Sequence, residues 1–192
     1  MTSLVKECSF QLRQLRQIRK CLDRNDTHLL VQAFVTAKFD YCNSLLYGIS
    51  DKQLNKLPII QNQTAKLITG GRKFDHVTPV LKSLHWLPVK EKILFKFGVL
   101  VFKCLNNLAP IYLANRCNKS SSFHNREGLR SSASAMLHIR STSLKKADRD
   151  FEIAGPRFWN SLPSDLRQNG LTLVDFRKRL KTYLFGNHGW VI

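Results

Sequence analysis

Apolar residues recur at Leu4, Cys8, Leu12, Leu15, Ile18 and Leu22. This spacing follows the turn of an α-helix, about 3.6 residues, and not the two-residue repeat of a strand. Lys6, Arg13, Arg16, Lys20 and Arg24 fall on the opposite face. A helix divided in this way packs one side and leaves a cationic stripe on the other.

The first half of the chain continues in the same manner. Asp26 is expected to cap a second helix from about Thr27 to Tyr47, with Leu30, Phe34, Ala37, Tyr41 and Leu45 as its seam and Gly48 at its end. Ser50 is expected to cap a third helix, Asp51 to Thr69, closed by Gly70 and Gly71. Pro58 lies inside that stretch and should kink it or shift its start. Thr78-Pro79 reads as the start of a short helix. A long apolar helix follows, about Lys90 to Leu105, stopped by "NNLAP". Just before it stands "LHWLPVKEKILFK", which places His85, Trp86 and Pro88 at a corner. "GPRFWNSLP" has the same character and offers Trp159 and Pro163 as a second structural corner.

The composition changes from Lys119, where "KSSSFHNREGLRSSASAM" is serine-rich and has no period. "MLHIRST" alternates as a short strand would, and "RDFEIAG" could be its partner. An amphipathic helix, Thr172 to Phe185, closes the pattern, with Leu173, Phe176, Leu180 and Leu184 facing the core. The expected fold class is mainly α: a helical bundle over 1–117, a serine-rich loop or hinge over 118–135, and a small α+β segment over 136–192.

Charge narrows the function. Against 13 Asp and Glu the chain carries 31 Lys and Arg, a net charge of +18. A globular chain so basic is expected to meet a polyanion. The first residues, "MTSLVKECSFQLRQLRQ", lack the apolar core of a signal peptide, and no run reaches the ~18 apolar residues of a membrane span. The five cysteines are odd in number and widely spaced, and read as reduced thiols of an intracellular protein, in cytoplasm or nucleus. No membrane partner, small-molecule substrate or cofactor is expected.

Enzymatic motifs are not recognisable. Cys104, Cys117, His124 and His138 have no knuckle spacing, so no metal is expected. His85 lacks a serine partner on a Gly-x-Ser-x-Gly elbow, and no glycine-rich phosphate loop occurs. Asp148, Asp150 and Glu152 alternate on the expected strand, the arrangement a cryptic nuclease would need, but charged edge residues explain them more simply.

Five blocks occur in order: "FVTAKFDYCNSLLYGIS", "LPIIQNQTAKLITG", "DHVTPVLKSLHWLPVKEKILFKFGVLVFKCLNNLAPIYL", "LRSS" and "FEIAGPRFWNSLPSDLRQ" with "DFRKRLKTYLF". Together they resemble the C-terminal region of jockey-type and chicken-repeat-type non-LTR (LINE) retrotransposon reverse transcriptases, over about Cys8 to Phe185. The resemblance implies a thumb-like and connector segment that grips RNA or an RNA–DNA template–primer alongside the rest of the reverse transcriptase. It also implies that the palm aspartates and the endonuclease would lie upstream of Met1, so no catalytic residue carries over and no activity of its own is expected. The residues expected to meet nucleic acid are Arg13, Arg16, Lys20 and Arg24, a second patch of Arg72, Lys73, Lys90 and Lys92, and Arg177, Lys178 and Lys181 near the end. The alternative is a non-functional, 5′-truncated retroelement remnant that neither folds nor binds independently.

Overall fold

A computed structural model of the protein describes residues 2–41, 43–72, 74–117, 136–140, 147–168 and 170–186. Among these the chain is mainly α, and no regular strand forms. The serine-rich segment 118–135 lies outside the described residues. Contacts divide the chain into two compact units, Met1–Ile93 and Leu94–Ile192.

The first unit begins with α1, Thr2–Ile18. Cys8, Leu12 and Leu15 are buried on its inner face, as the spacing requires. Ile18 is half exposed because α1 gives way there to a tighter turn, Arg19–Cys21. Helix α2, Arg24–Val31, is capped by Asp23, whose carboxylate accepts the Asp26 N–H at 2.6 Å. The expected cap, Asp26, therefore lies inside the first turn, where its charge still suits the positive helix end.

The expected seam of the second helix is also corrected. Thr27, Val31, Val35 and Phe39 are buried, whereas Tyr41 and Leu45 are among the most exposed apolar side chains. A wide turn over Gln32–Thr36 separates α2 from α3, Ala37–Asp40, and the Ala37 N–H reaches back five residues to the Gln32 carbonyl. That extra residue per turn keeps side chains four apart on one face, where an ordinary α-helix would let them drift.

Ser50 stands at the N-cap of α4, Asp51–Leu54, and a break at Asn55 precedes α5, Lys56–Thr69. Pro58 thus falls in the first turn of α5, where its missing N–H leaves no intrahelical bond unmade. Leu57, Ile60, Leu67 and Ile68 join Leu12, Val31 and Val35 in the core of this unit. Each such fully buried side chain contributes roughly 1.5–3 kcal/mol of transfer free energy. Helix α6, Val77–Ser83, starts one residue before the expected cap Thr78, with His76 at the N-cap.

Three helix ends share one device. Gly70 (φ 71°), His85 (φ 53°) and Asn107 (φ 56°) are left-handed. In each case the next N–H bonds a carbonyl five residues back: Gly71 to Lys66 at 3.0 Å, Trp86 to Leu81 at 2.9 Å, Leu108 to Lys103 at 2.8 Å. This is the Schellman arrangement, which satisfies orphan carbonyls at a helix end. The corner at "LHWLP" is therefore a helix stop. Trp86 packs partly buried against the first core, and the buried Leu87 offers its carbonyl to Gln61 Nε2 at 2.8 Å. Helix α7, Val89–Leu105, follows.

Val89 and Ile93 of α7 belong to the first core, and Phe97, Val101 and Phe102 are buried in the second unit. After α8, Ile111–Ala114, comes α9, Phe151–Ser161. This stretch contains "RDFEIAG", expected as a strand. It is helical because Asp150 caps it, accepting from the Glu152 N–H at 3.3 Å, and its apolar residues bury at helical spacing: Ile153, Ala154, Phe158. Pro156 is tolerated inside α9 next to Gly155, which has no Cβ to collide with the proline ring. The expected partner strand is likewise absent over residues 136–140; Leu137 instead exchanges two 2.9 Å hydrogen bonds with the Asn160 side chain. Trp159 lies within α9 and is buried, so the second segment is not a corner at its tryptophan.

Helix α10, Leu173–Gly186, buries Phe176, Leu180 and Leu184. Thr172 caps it, accepting the Asp175 N–H at 3.1 Å. Phe102 stacks on Phe176 at 4.3 Å between centroids, and Trp159 stacks on Phe176 at 5.9 Å. Gly98 is what lets α7 approach: a Cβ there would lie 2.6 Å from Phe158 and 3.0 Å from Leu180.

Candidate nucleic-acid interface

The outer face of α5 carries Ile59, Asn62, Gln63 and Lys66, one helical stripe opposite its buried face. Together with Arg16 of α1 and Arg19 of the following turn, that stripe lines an open groove of about 630 Å³. No carboxylate is among the lining residues. Arg16 and Arg19 are held in place. Arg16 Nη2 donates to Gln63 Oε1 at 3.3 Å. Arg19 donates from Nε to the Leu67 carbonyl at 3.0 Å and from Nη1 to the Leu22 carbonyl at 2.9 Å. Leu67 is in the last turn of α5, so Arg19 satisfies an orphan carbonyl and offsets the negative helix end. Without it that end would repel an anion entering the groove.

Of the expected contact residues, only Arg16 enters this groove. Arg13, Lys20, Arg24 and Arg72 are exposed elsewhere on the first unit. Lys73 lies outside the described residues. Lys90 and Lys92 are engaged in ion pairs, Lys90 with Asp51 at 2.6 Å and Lys92 with Asp40 at 2.7 Å. The hydrogen-bonded Asp51 carboxylate holds the exposed Lys90 ammonium above its ordinary range. These two lysines are therefore weaker partners for phosphate than the sequence suggests.

In the second unit, Arg177 and Lys178 are exposed on α10, and Lys181 lies 5.8 Å from the Phe185 ring centroid, a cation–π contact. A groove of about 590 Å³ there includes Lys178 and Arg179, but Asp165 and Asp175 line it too and offset their charge. Of these two grooves, the one between α1 and α5 is lined by cations without a carboxylate. The sequence reading missed Arg19, Asn62, Gln63 and Lys66. Their signal was present in the polar stripe of α5, at the same spacing that marked its buried residues.

The acids expected on a strand have other tasks. Asp148 pairs with Arg157 at 2.7 Å, Asp150 caps α9, and Glu152 pairs with Arg116 at 2.9 Å. No cluster of three or more His, Cys, Asp or Glu able to hold a metal ion occurs among the described residues. Cys8, Cys21, Cys104 and Cys117 are free thiols, and Cys21 is exposed where the others are buried. Cys104 and Cys117 hydrogen-bond each other, which lowers the Cys104 thiol and, with burial, pushes Cys117 up. Burial raises Cys8 as well. No helix among the described residues is long and apolar enough to cross a membrane.

Compared with known proteins, the chain matches no family model, no curated protein and no solved structure.

Proposed function

We propose that this chain is a nucleic-acid-binding segment, similar to the C-terminal part of a LINE-type reverse transcriptase, that holds RNA or an RNA–DNA duplex in an intracellular setting without chemistry of its own. The observation that carries this reading is the carboxylate-free groove, where Arg16, Arg19 and Lys66 converge within a chain of net charge +18. Exposed Arg13, Lys20, Arg24 and Arg72 extend the cationic surface around it. Such a surface attracts phosphates by releasing their counterions, so affinity is salt-steep.

Filter binding of RNA and of RNA–DNA duplex across a salt series is the test. About five phosphate contacts predict a slope of log affinity against log salt near −4. A flat response, or no binding at low salt, overturns the reading. A second reading, a remnant that packs only against a polymerase partner, draws on Leu29, Tyr41 and Leu45, which are 66%, 82% and 71% exposed. Sedimentation of the isolated chain separates the two, because a soluble monomer excludes the remnant.

A further inference from the structure

Cations alone do not explain the composition of the α1–α5 groove. Asn62 and Gln63, both half-buried, stand between Arg16 and Lys66, and Ile59 at the edge is 55% exposed. Gln63 accepts from Arg16 through Oε1, which orients its amide and leaves the Nε2 hydrogens for another acceptor. Asn62 offers both a donor and an acceptor. Amide side chains pair with base edges, while guanidinium and ammonium groups pair with phosphate. An apolar side chain beside them suits the face of a base. The volume, about 630 Å³, falls in the range of small-molecule sites.

We propose that this groove seats one unpaired nucleotide, with Arg16, Arg19 and Lys66 around its phosphate, Asn62 and Gln63 on its base edge, and Ile59 against its face. The inference rests on the nucleic-acid reading and sharpens it to single strands. A duplex hides the Watson–Crick edges that the two amides would meet, whereas an unpaired base presents them. Sequence-blind attraction over the whole surface would then bring a strand in, and the groove would select for an unpaired position.

The two effects have opposite signs. A purely cationic surface favours the duplex, whose phosphates are denser. Amide contacts to a base edge favour the single strand. Fluorescence anisotropy at one fixed salt concentration can compare a short mixed-sequence oligoribonucleotide with the same strand annealed to its complement. The native protein should bind the single strand about tenfold more tightly. The double variant Asn62→Ala/Gln63→Ala should lose that preference through weaker single-strand binding. Arg13→Ala, outside the groove, should weaken both ligands by a similar factor. Thermal melts establish that each variant is folded. A duplex preference in the native protein, or a single-strand preference that survives the double substitution, overturns the inference while leaving the broader reading standing. Absence of all binding removes both.

Discussion

His85 occupies a left-handed backbone position (φ 53°) that an L-residue enters at a cost of about 1–2 kcal/mol, partly because its Cβ crowds the next carbonyl. The position is fixed by its neighbours, since Trp86 must turn back to the Leu81 carbonyl and pack on the core. The histidine side chain is exposed, so the backbone carries the requirement. His85→Gly should therefore stabilise the protein by about 0.5–1 kcal/mol in urea denaturation, the relief of strain less the greater entropy of glycine. His85→Val should destabilise it by about 1–2 kcal/mol, because a branched Cβ fits this region worst. A less stable His85→Gly variant would mean that the imidazole makes a contact worth more than the strain. The sequence placed a corner at Leu84–Pro88 but did not reveal its kind, because the left-handed residue is not glycine; Asn107 hid the same device. At Trp159 the likeness of Trp-Leu-Pro to Trp-Asn-Ser-Leu-Pro is misleading, since burial within α9 and not a turn fixes that ring.

Among the elements, the second helix departs furthest from its reading. A fixed helical period over Thr27–Tyr47 selects Leu30, Phe34, Ala37, Tyr41 and Leu45. The buried set is Thr27, Val31, Val35 and Phe39, four residues apart throughout. A wide turn holds that spacing in a narrower face than an ordinary α-helix would, and no residue type announces one. Helices α1, α5, α7 and α10 were legible because their periods are regular, and α9 was lost because seven residues are too few to separate helix from strand. The groove was half legible. The cations of α1 stand out in the sequence, whereas the polar stripe of α5 carries one cation among amides and no charge run to mark it. Inserting one alanine after Ala33, which is exposed within the wide turn, tests the phase argument. Val35 and Phe39 would rotate by about 100° relative to Val31. The loss should exceed ~3 kcal/mol, as for removing a buried aromatic side chain. Ala33→Ser keeps the residue count and should stay within about 0.5 kcal/mol of the native protein. If the insertion melts like the native chain, the turn is an incidental bulge and the buried set has another cause.

For the molecule as a whole, a net charge of +18 sets stability and binding against each other. Compaction brings like charges together, and the expanded unfolded chain separates them, so self-repulsion favours unfolding. Added salt shortens the screening length to about 10 Å at 0.1 M and weakens that repulsion. The exposed ion pairs, Lys90–Asp51 among them, lose strength too, but such pairs are worth at most about 1 kcal/mol each and are outnumbered by excess cations. The melting temperature of the free protein should therefore rise with salt. Bound RNA should act the other way. At a concentration one hundred times its Kd a ligand adds about 2.7 kcal/mol, or roughly 5–11 °C for a chain of this size. That increment should shrink as salt weakens binding. Melting curves with and without oligoribonucleotide, taken at low and high salt, should converge from below for the free protein and from above for the complex. A free protein that melts earlier in salt would show that its attractive pairs outweigh the excess positive charge. An increment indifferent to salt would place the contacts on groups other than the cations of α1 and the groove.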